Sequence, residues 1–172
     1  SNTSLANMNG WKDEGCILAS EGKRDNWNAI DPNFVIDDKG NPWMTWGSFW
    51  DGIQLVKLDK KTMHVKKGAK PQTIARRHAF GDASAEPNPT SKFAGANAIE
   101  APFIMKHGGY YYLFVSWDYC CRGIKSNYRV AVGRSKNVAG PYLDKNGKDM
   151  RNGGGTLILE GDKKEFEAMG HC

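Results

Sequence analysis

Long apolar runs are missing from this 172-residue chain: no stretch of about 18 apolar residues could cross a bilayer as a helix, so no membrane partner is expected. No signal peptide is legible, and the opening SNTSLANMNG does not start with Met, so targeting sequence does not fix a location. Cysteines are few: Cys16, Cys120, Cys121 and Cys172. No two are spaced as CxxC, which argues against a zinc site. Cys120 and Cys121 are adjacent on what reads as a strand. Their side chains would then point to opposite faces, which disfavours a bond between them and makes free thiols the expectation. Cys172, the last residue, is a candidate for an intermolecular disulfide. A concentrated basic face is missing too. The net charge is +5, but Lys60, Lys61, Lys66, Lys67, Lys163 and Lys164 are spread out, with acids between the 60–67 and 163–164 groups. Without a recognition helix or basic arm this reads as a solvated surface, with no nucleic-acid partner. Long helical periodicity is absent; only DKKEFEAM, 162–169, offers about one turn.

What is present is strands and turns. The chain is 40% hydrophobic and 25% charged, with 20 Gly and 6 Trp, a composition that folds. In FVIDDKGNPWMTWGSF a short apolar run, the turn cluster 38–42 and an aromatic run read as a hairpin. IQLVKLD, 53–59, is a third strand and TMHV, 62–65, a fourth, outer one. The same grammar returns in FIMKHGGYYYLFVSW, then YRVAVGRS at 128–135, then GPYLD at 140–144 as the outer edge. The fold class is therefore all-β. A four-stranded unit occurs twice, at 30–66 and 99–144, as blades of a β-propeller are written. Two unrelated antiparallel sheets in a sandwich are the alternative. Residues 11–20, WKDEGCILAS, read as an outer strand left from a preceding blade. Residues 67–98 form a long connection rich in Gly, Pro, Ala and Ser, a length usually associated with function or mobility. Residues 145–172 lead into a further blade.

Two acids stand out by position. Asp31 in NAIDPNF and Glu100 in NAIEAPF each follow Asn-Ala-Ile and precede a strand that opens a blade. Inner strands line a propeller's axis, so acids at matched places in neighbouring blades converge on one pocket. Paired carboxylates beside aromatics suit glycoside hydrolysis. Singly, Asp31 also reads as a turn residue before Pro32 and Glu100 as a surface strand end. WGSFWDG, 46–52, offers flat apolar faces and polar groups for a sugar. Phe49 and Trp50, near the strand end, are its expected exposed pair.

The segments NAIDPNFVIDDKGNPWMTWGSFWDGIQLVKLD, ANAIEAPFIMKHGGYYYLFVSWDYCCRG and VGRSKNVAGPYLD resemble family-43 glycoside hydrolases, and the endo-1,5-α-L-arabinanases most closely. The resemblance implies a five-bladed β-propeller and single-displacement hydrolysis with inversion by three carboxylates at the axis. Asp31 matches the aspartate that tunes the acid's pKa and orients acid and substrate; a negative neighbour keeps an acid protonated near neutral pH. Glu100 matches the general acid. Asn28, Ala29 and Ile30, with Ser48, Phe49 and Trp50, match segments lining the arabinan groove. His171 resembles the histidine that helps hold an axial ion, commonly calcium, through water. A secreted location follows from the same resemblance.

One departure stands against it. The family's water-activating aspartate belongs to the first blade, of which only 11–20 is expected here. Asp13, Glu14, Glu21 and Asp25 lie in outer-strand or loop sequence and match it poorly. Two blades are too few to close a ring, and open edges invite association. The expectation is therefore completion by a homodimer or higher homo-oligomer, with a partner chain carrying the missing blades or a truncated fragment as alternatives. Functionally, an arabinan hydrolase complete on assembly stands beside an arabino-oligosaccharide-binding remnant and a dimerising structural β-domain.

Overall fold

The computed structural model describes residues 6–22, 24–79 and 97–171. Among these residues eight strands form two four-stranded antiparallel sheets, each in chain order. The first holds β1 (Asn33–Ile36), β2 (Pro42–Trp46), β3 (Ile53–Lys57) and β4 (Gln72–Ala75). The second holds β5 (Ile99–His107), β6 (Tyr110–Trp117), β7 (Arg129–Ser135) and β8 (Thr156–Glu160). Among the described residues helix is limited to two short 3₁₀ turns, Gly123–Lys125 and Met150–Asn152. The all-β, two-blade reading is met. The inner three strands of each unit lie where the hydrophobic pattern put them.

The outer strands do not. Residues 62–65 make only a Leu58–Val65 bridge, and 140–144 only the Leu143 bridges to Arg134 and Asp149. Both segments are turns built on an aspartate, whose carboxylate satisfies backbone donors that a ladder would need. Asp59 accepts from the backbone N–H of Lys61 at 2.9 Å and Thr62 at 3.0 Å. Asp144 accepts from those of Asn146 and Lys148, both at 2.9 Å. The outer strand comes later each time: β4 lies inside the expected 67–98 connection and β8 inside the expected lead-in. The rest of that connection, 80–96, lies outside the described residues, as does Cys172. Residues 11–20 form no strand; they cover the first sheet as irregular chain. Residues 162–169 form no helix either, because Asp162 draws the N–H groups of Lys164, Glu165 and Phe166 into a turn at 2.9–3.0 Å. Cys120 and Cys121 sit beyond the end of β6, in a turn rather than on a strand.

Alternation along the strands sorts two cores. Between the sheets, Val35, Ile53, Leu55 and Ile74 meet Ile99, Ile104, Leu113, Val115 and Trp117. On the other face of the first sheet, Met44, Trp46, Val56 and Leu58 are covered by Leu18 and Trp27. The Trp27 and Trp46 rings meet edge to face with centroids 5.3 Å apart. Polar contacts also tie the sheets: among them the Ile104 N–H donates to Asn33 Oδ1 and the Asp38 N–H to Tyr111 Oη, each at 2.9 Å.

The β1–β2 hairpin turns on Asp37. Its carboxylate accepts from the Lys39 N–H (2.9 Å), the Asn41 N–H (2.7 Å) and Trp43 Nε1 (3.0 Å), with Gly40 supplying a φ of +69°. Burial pushes this carboxyl up, but the hydrogen bonds from Trp43, Asn41 and Lys39 outweigh it and hold the group well below the usual carboxylate range. A carboxylate with a depressed folded-state pKa stabilises above its unfolded value of about 3.9, and that contribution is lost as pH falls toward the folded value. Urea unfolding below about pH 4 should therefore lose on the order of 1–2 kcal/mol more in the parent than in Asp37→Asn. Parallel losses in the two proteins would refute this role for Asp37.

Candidate functional site

The two sheets bring their first strands together, and the acids arrive with them. Ser48, in the loop after β2, forms an isolated bridge with Glu100 of β5, and the Phe49 N–H donates to the Ile99 carbonyl at 2.9 Å. Glu100 is gripped at both oxygens. Ser48 Oγ donates to one at 2.7 Å, and Tyr128 Oη, just before β7, to the other at 2.6 Å. Each carboxylate oxygen has two lone-pair directions, so the grip leaves room on either for a transferable proton.

Asp31 lies beside this pair. Burial raises its pKa, the negative charge of Glu100 adds to the rise, and His171 and the Ala101 N–H oppose it. His171 Nε2 is 3.8 Å from Asp31 Oδ1, and the His171 N–H is anchored on Ser116 Oγ at 2.7 Å. Burial and the Glu100 hydrogen bond push the Tyr128 phenol far above its ordinary range, so it stays a donor at any working pH.

Backbone conformation marks the same place. Asp31 (φ 55°), Phe49 (58°), Trp50 (39°), Ala101 (49°) and His171 (64°) all occupy the left-handed region without being glycine. Such residues cost of order 1–3 kcal/mol each and cluster at functional sites. They also refine the sequence match. Asp31 and Glu100 both follow Asn-Ala-Ile, but the left-handed residue before proline is Asp31 in one unit and Ala101 in the other. β5 takes up the extra residue as a register shift between Glu100 and Phe103.

The remaining expected residues divide. Phe49 and Trp50 are half-buried beside the acid; Phe49 leans on Tyr119 with ring centroids 6.1 Å apart, and the Trp50 carbonyl accepts from Asn97 Nδ2. Asn28 is half-buried and accepts the Ile30 N–H on its carbonyl at 3.0 Å. Ala29 and Ile30 line a separate 300 Å³ cavity with Cys16, Leu18 and Trp46. The cleft next to the acids holds 590 Å³ and is lined by Tyr128, Glu165, Phe166 and His171 together with Cys120 and Cys121.

Several contributors carry no sequence signal of their own. Tyr128 reads only as a strand residue. Asn97, fully buried, accepts the Arg77 N–H at 2.7 Å while holding Trp50. Asp118 clamps Arg77 Nε at 2.9 Å and Arg129 Nε at 2.7 Å, joining the end of the first unit to β7. No group of three or more His, Cys, Asp or Glu able to hold a metal occurs among the described residues. No chemical step is assigned to an ion.

Comparison with known proteins places this geometry. The profile of glycosyl hydrolases family 43 matches residues 3–171. The chain is 47% identical over 162 residues to extracellular endo-α-(1→5)-L-arabinanase 1 of Bacillus subtilis, covering 94% of this chain and 44% of that protein. It is 45% identical over 161 residues to extracellular exo-α-(1→5)-L-arabinofuranosidase ArbA of Cellvibrio japonicus, with the same 94% and 44% coverage. The structure of Cellvibrio cellulosa α-L-arabinanase complexed with arabinohexaose superposes with a TM-score of 0.79 at 44% identity, over 88% of this chain and 46% of that one. The chain thus spans about half the length of the relatives it matches.

Proposed function

Because the chain belongs to glycosyl hydrolase family 43 and has the fold of part of its propeller, we propose that it carries the acid half of a site hydrolysing α-1,5-linked L-arabinan with inversion. The carrying observation is the doubly hydrogen-bonded Glu100 beside an Asp31 whose pKa is raised. Glu100 protonates the leaving glycosidic oxygen. As its negative charge develops, the Ser48 and Tyr128 hydroxyls already point at both oxygens and stabilise it. Asp31 orients the acid, and its charge discourages early loss of the acid's proton. Ser48, Phe49 and Trp50, with Asn28, Ala29 and Ile30, contact the sugar chain.

The water-activating carboxylate is not assigned to any described residue. Inverting enzymes place it about 6.5–9.5 Å from the acid to admit a water. A second copy of this chain is one proposed source. β8 leaves Leu157, Ile158 and Leu159 exposed at 38%, 49% and 46%, an edge that a neighbour would cover. Light scattering at the monomer mass would remove that source. An extracellular location and a water-bridged calcium at His171 belong to the same proposal; metal analysis of the purified protein tests the latter.

The function itself is tested with linear α-1,5-arabinan and proton NMR of the first products. Inversion predicts new reducing ends in the β configuration before mutarotation. New ends formed as α would remove inversion, and none released would remove the hydrolytic reading. A sugar-binding role without turnover is favoured only if arabino-oligosaccharides bind and no ends appear.

A further inference from the structure

The turn after β6 carries two groups that hydrolysis does not use. Cys120 and Cys121 have free thiols whose Sγ atoms lie 2.6 Å apart. The turn is clamped on both sides of them. Tyr119 and Asn127 exchange hydrogen bonds at 3.0 and 3.1 Å, the Arg122 N–H donates to Ser126 Oγ at 3.0 Å, and the Arg122 guanidinium stacks on Tyr119 at 3.7 Å. Cys121 itself is in the left-handed region, φ 62°. The fixed turn, rather than strand alternation, sets the direction of both side chains, so the sulfurs meet instead of parting. Both line the 590 Å³ cleft with Tyr128 and His171, and both reach solvent.

We infer that Cys120 and Cys121 are a redox site: a low-molecular-weight disulfide oxidises them to a vicinal disulfide, which presents an apolar sulfur face to a furanose ring in the cleft. The second half of this inference rests on the arabinan reading. Two S–H bonds break and one S–S bond forms. Two electrons and two protons pass to the small disulfide, which is cleaved to two thiols. Oxidation removes two thiol protons from the cleft wall and leaves polarisable, weakly hydrated sulfur, suited to the C–H face of a sugar. Adjacent Cα atoms are only about 3.8 Å apart, below the usual range of roughly 4.4–6.8 Å, so the bridge is more readily reduced than an ordinary one. The hydrogen bond with Cys121 and burial push the Cys120 thiol up to about 11, so Cys120 contributes more thiolate, and exchanges faster, as pH rises above neutral.

The test uses the full chain treated with glutathione disulfide, then denatured, alkylated and digested. The peptide holding Cys120 and Cys121 should be lighter by two hydrogens and free of alkyl label until reductant is added. Alkylation of both residues, or glutathione retained on either, overturns the redox site. Calorimetry with arabinohexaose then compares oxidised and reduced protein, with Cys120→Ser/Cys121→Ser as control. The oxidised form should bind about 2–10-fold tighter than the reduced form or the variant. Equal binding overturns the sugar platform. Binding absent from every form overturns the platform and the arabinan reading together, while the mass result decides the disulfide by itself.

Discussion

Glu100→Gln should cut hydrolysis of linear arabinan by about 10²–10⁴-fold, the range for losing a positioned general acid. The variant keeps the side chain's size. Its carbonyl oxygen still accepts one hydroxyl, and either Ser48 or Tyr128 can turn to accept from the new amide, so the fold and sugar binding should persist. A second substrate makes the result specific. A 4-nitrophenyl α-L-arabinofuranoside leaves as a stable phenolate and needs no proton, so the variant's loss on it should be far smaller. Equal losses on the two substrates would mean that Glu100 positions the sugar or supports the fold, and would end its assignment as acid. Tyr128→Phe gives the graded companion. It removes one donor to the developing carboxylate and no ring packing, for about a tenfold fall on arabinan, as expected for one hydrogen bond to a charged group. Ser48→Ala should do the same at the other oxygen.

The contrast between Glu100 and Tyr128 shows what the sequence could reveal. Glu100 was legible because a carboxylate ahead of an apolar strand is unusual and because Asp31 repeats its Asn-Ala-Ile context. Tyr128 was not. A tyrosine opening YRVAVGRS looks like any strand aromatic, and its role depends on Ser48 and Glu100 meeting from different sheets, 52 residues apart in the chain. The inner strands were legible from their apolar runs. The outer strands were missed because aspartate-based turns at Asp59 and Asp144 end the first apolar segment after each third strand, so β4 and β8 form later in the chain. The two cysteines were misread for a related reason. Alternation applies to a strand, and β6 ends at Trp117. The left-handed residues at Asp31, Phe49, Trp50, Ala101 and His171 carry no compositional mark at all, since none is a glycine.

The loop that delivers Ser48 rests on a buried ion pair, and breaking it from one side should cost more stability than any substitution in the cleft. Arg76, just after β4, is 4% exposed and pairs with Asp51, whose side chain is 20% exposed. Asp51 also accepts from Thr73 Oγ1 at 2.7 Å, and its N–H donates to the Asn26 carbonyl at 3.0 Å. Gly52 lets the loop press against β4, where a Cβ would meet the Ala75 carbonyl oxygen at 2.2 Å. Burial alone pulls the Arg76 pKa down, but a guanidinium keeps its charge, so Asp51→Ala leaves a buried cation without this carboxylate. The expected cost is about 3–5 kcal/mol, or roughly 10 °C in Tm for a chain of this size. Arg76→Met should cost less, because the carboxylate left behind reaches water and keeps Thr73. Asp51→Ala/Arg76→Met should be more stable than Asp51→Ala alone, since a buried pair is often replaceable by apolar packing although half of it is not. A double variant less stable than Asp51→Ala, or a single-variant Tm within about 2 °C of the parent, would show that the pair does not hold the loop. Because the same loop carries Ser48, Phe49 and Trp50, Asp51→Ala should also lower arabinan hydrolysis at temperatures well below its Tm, and by more than Ser48→Ala does.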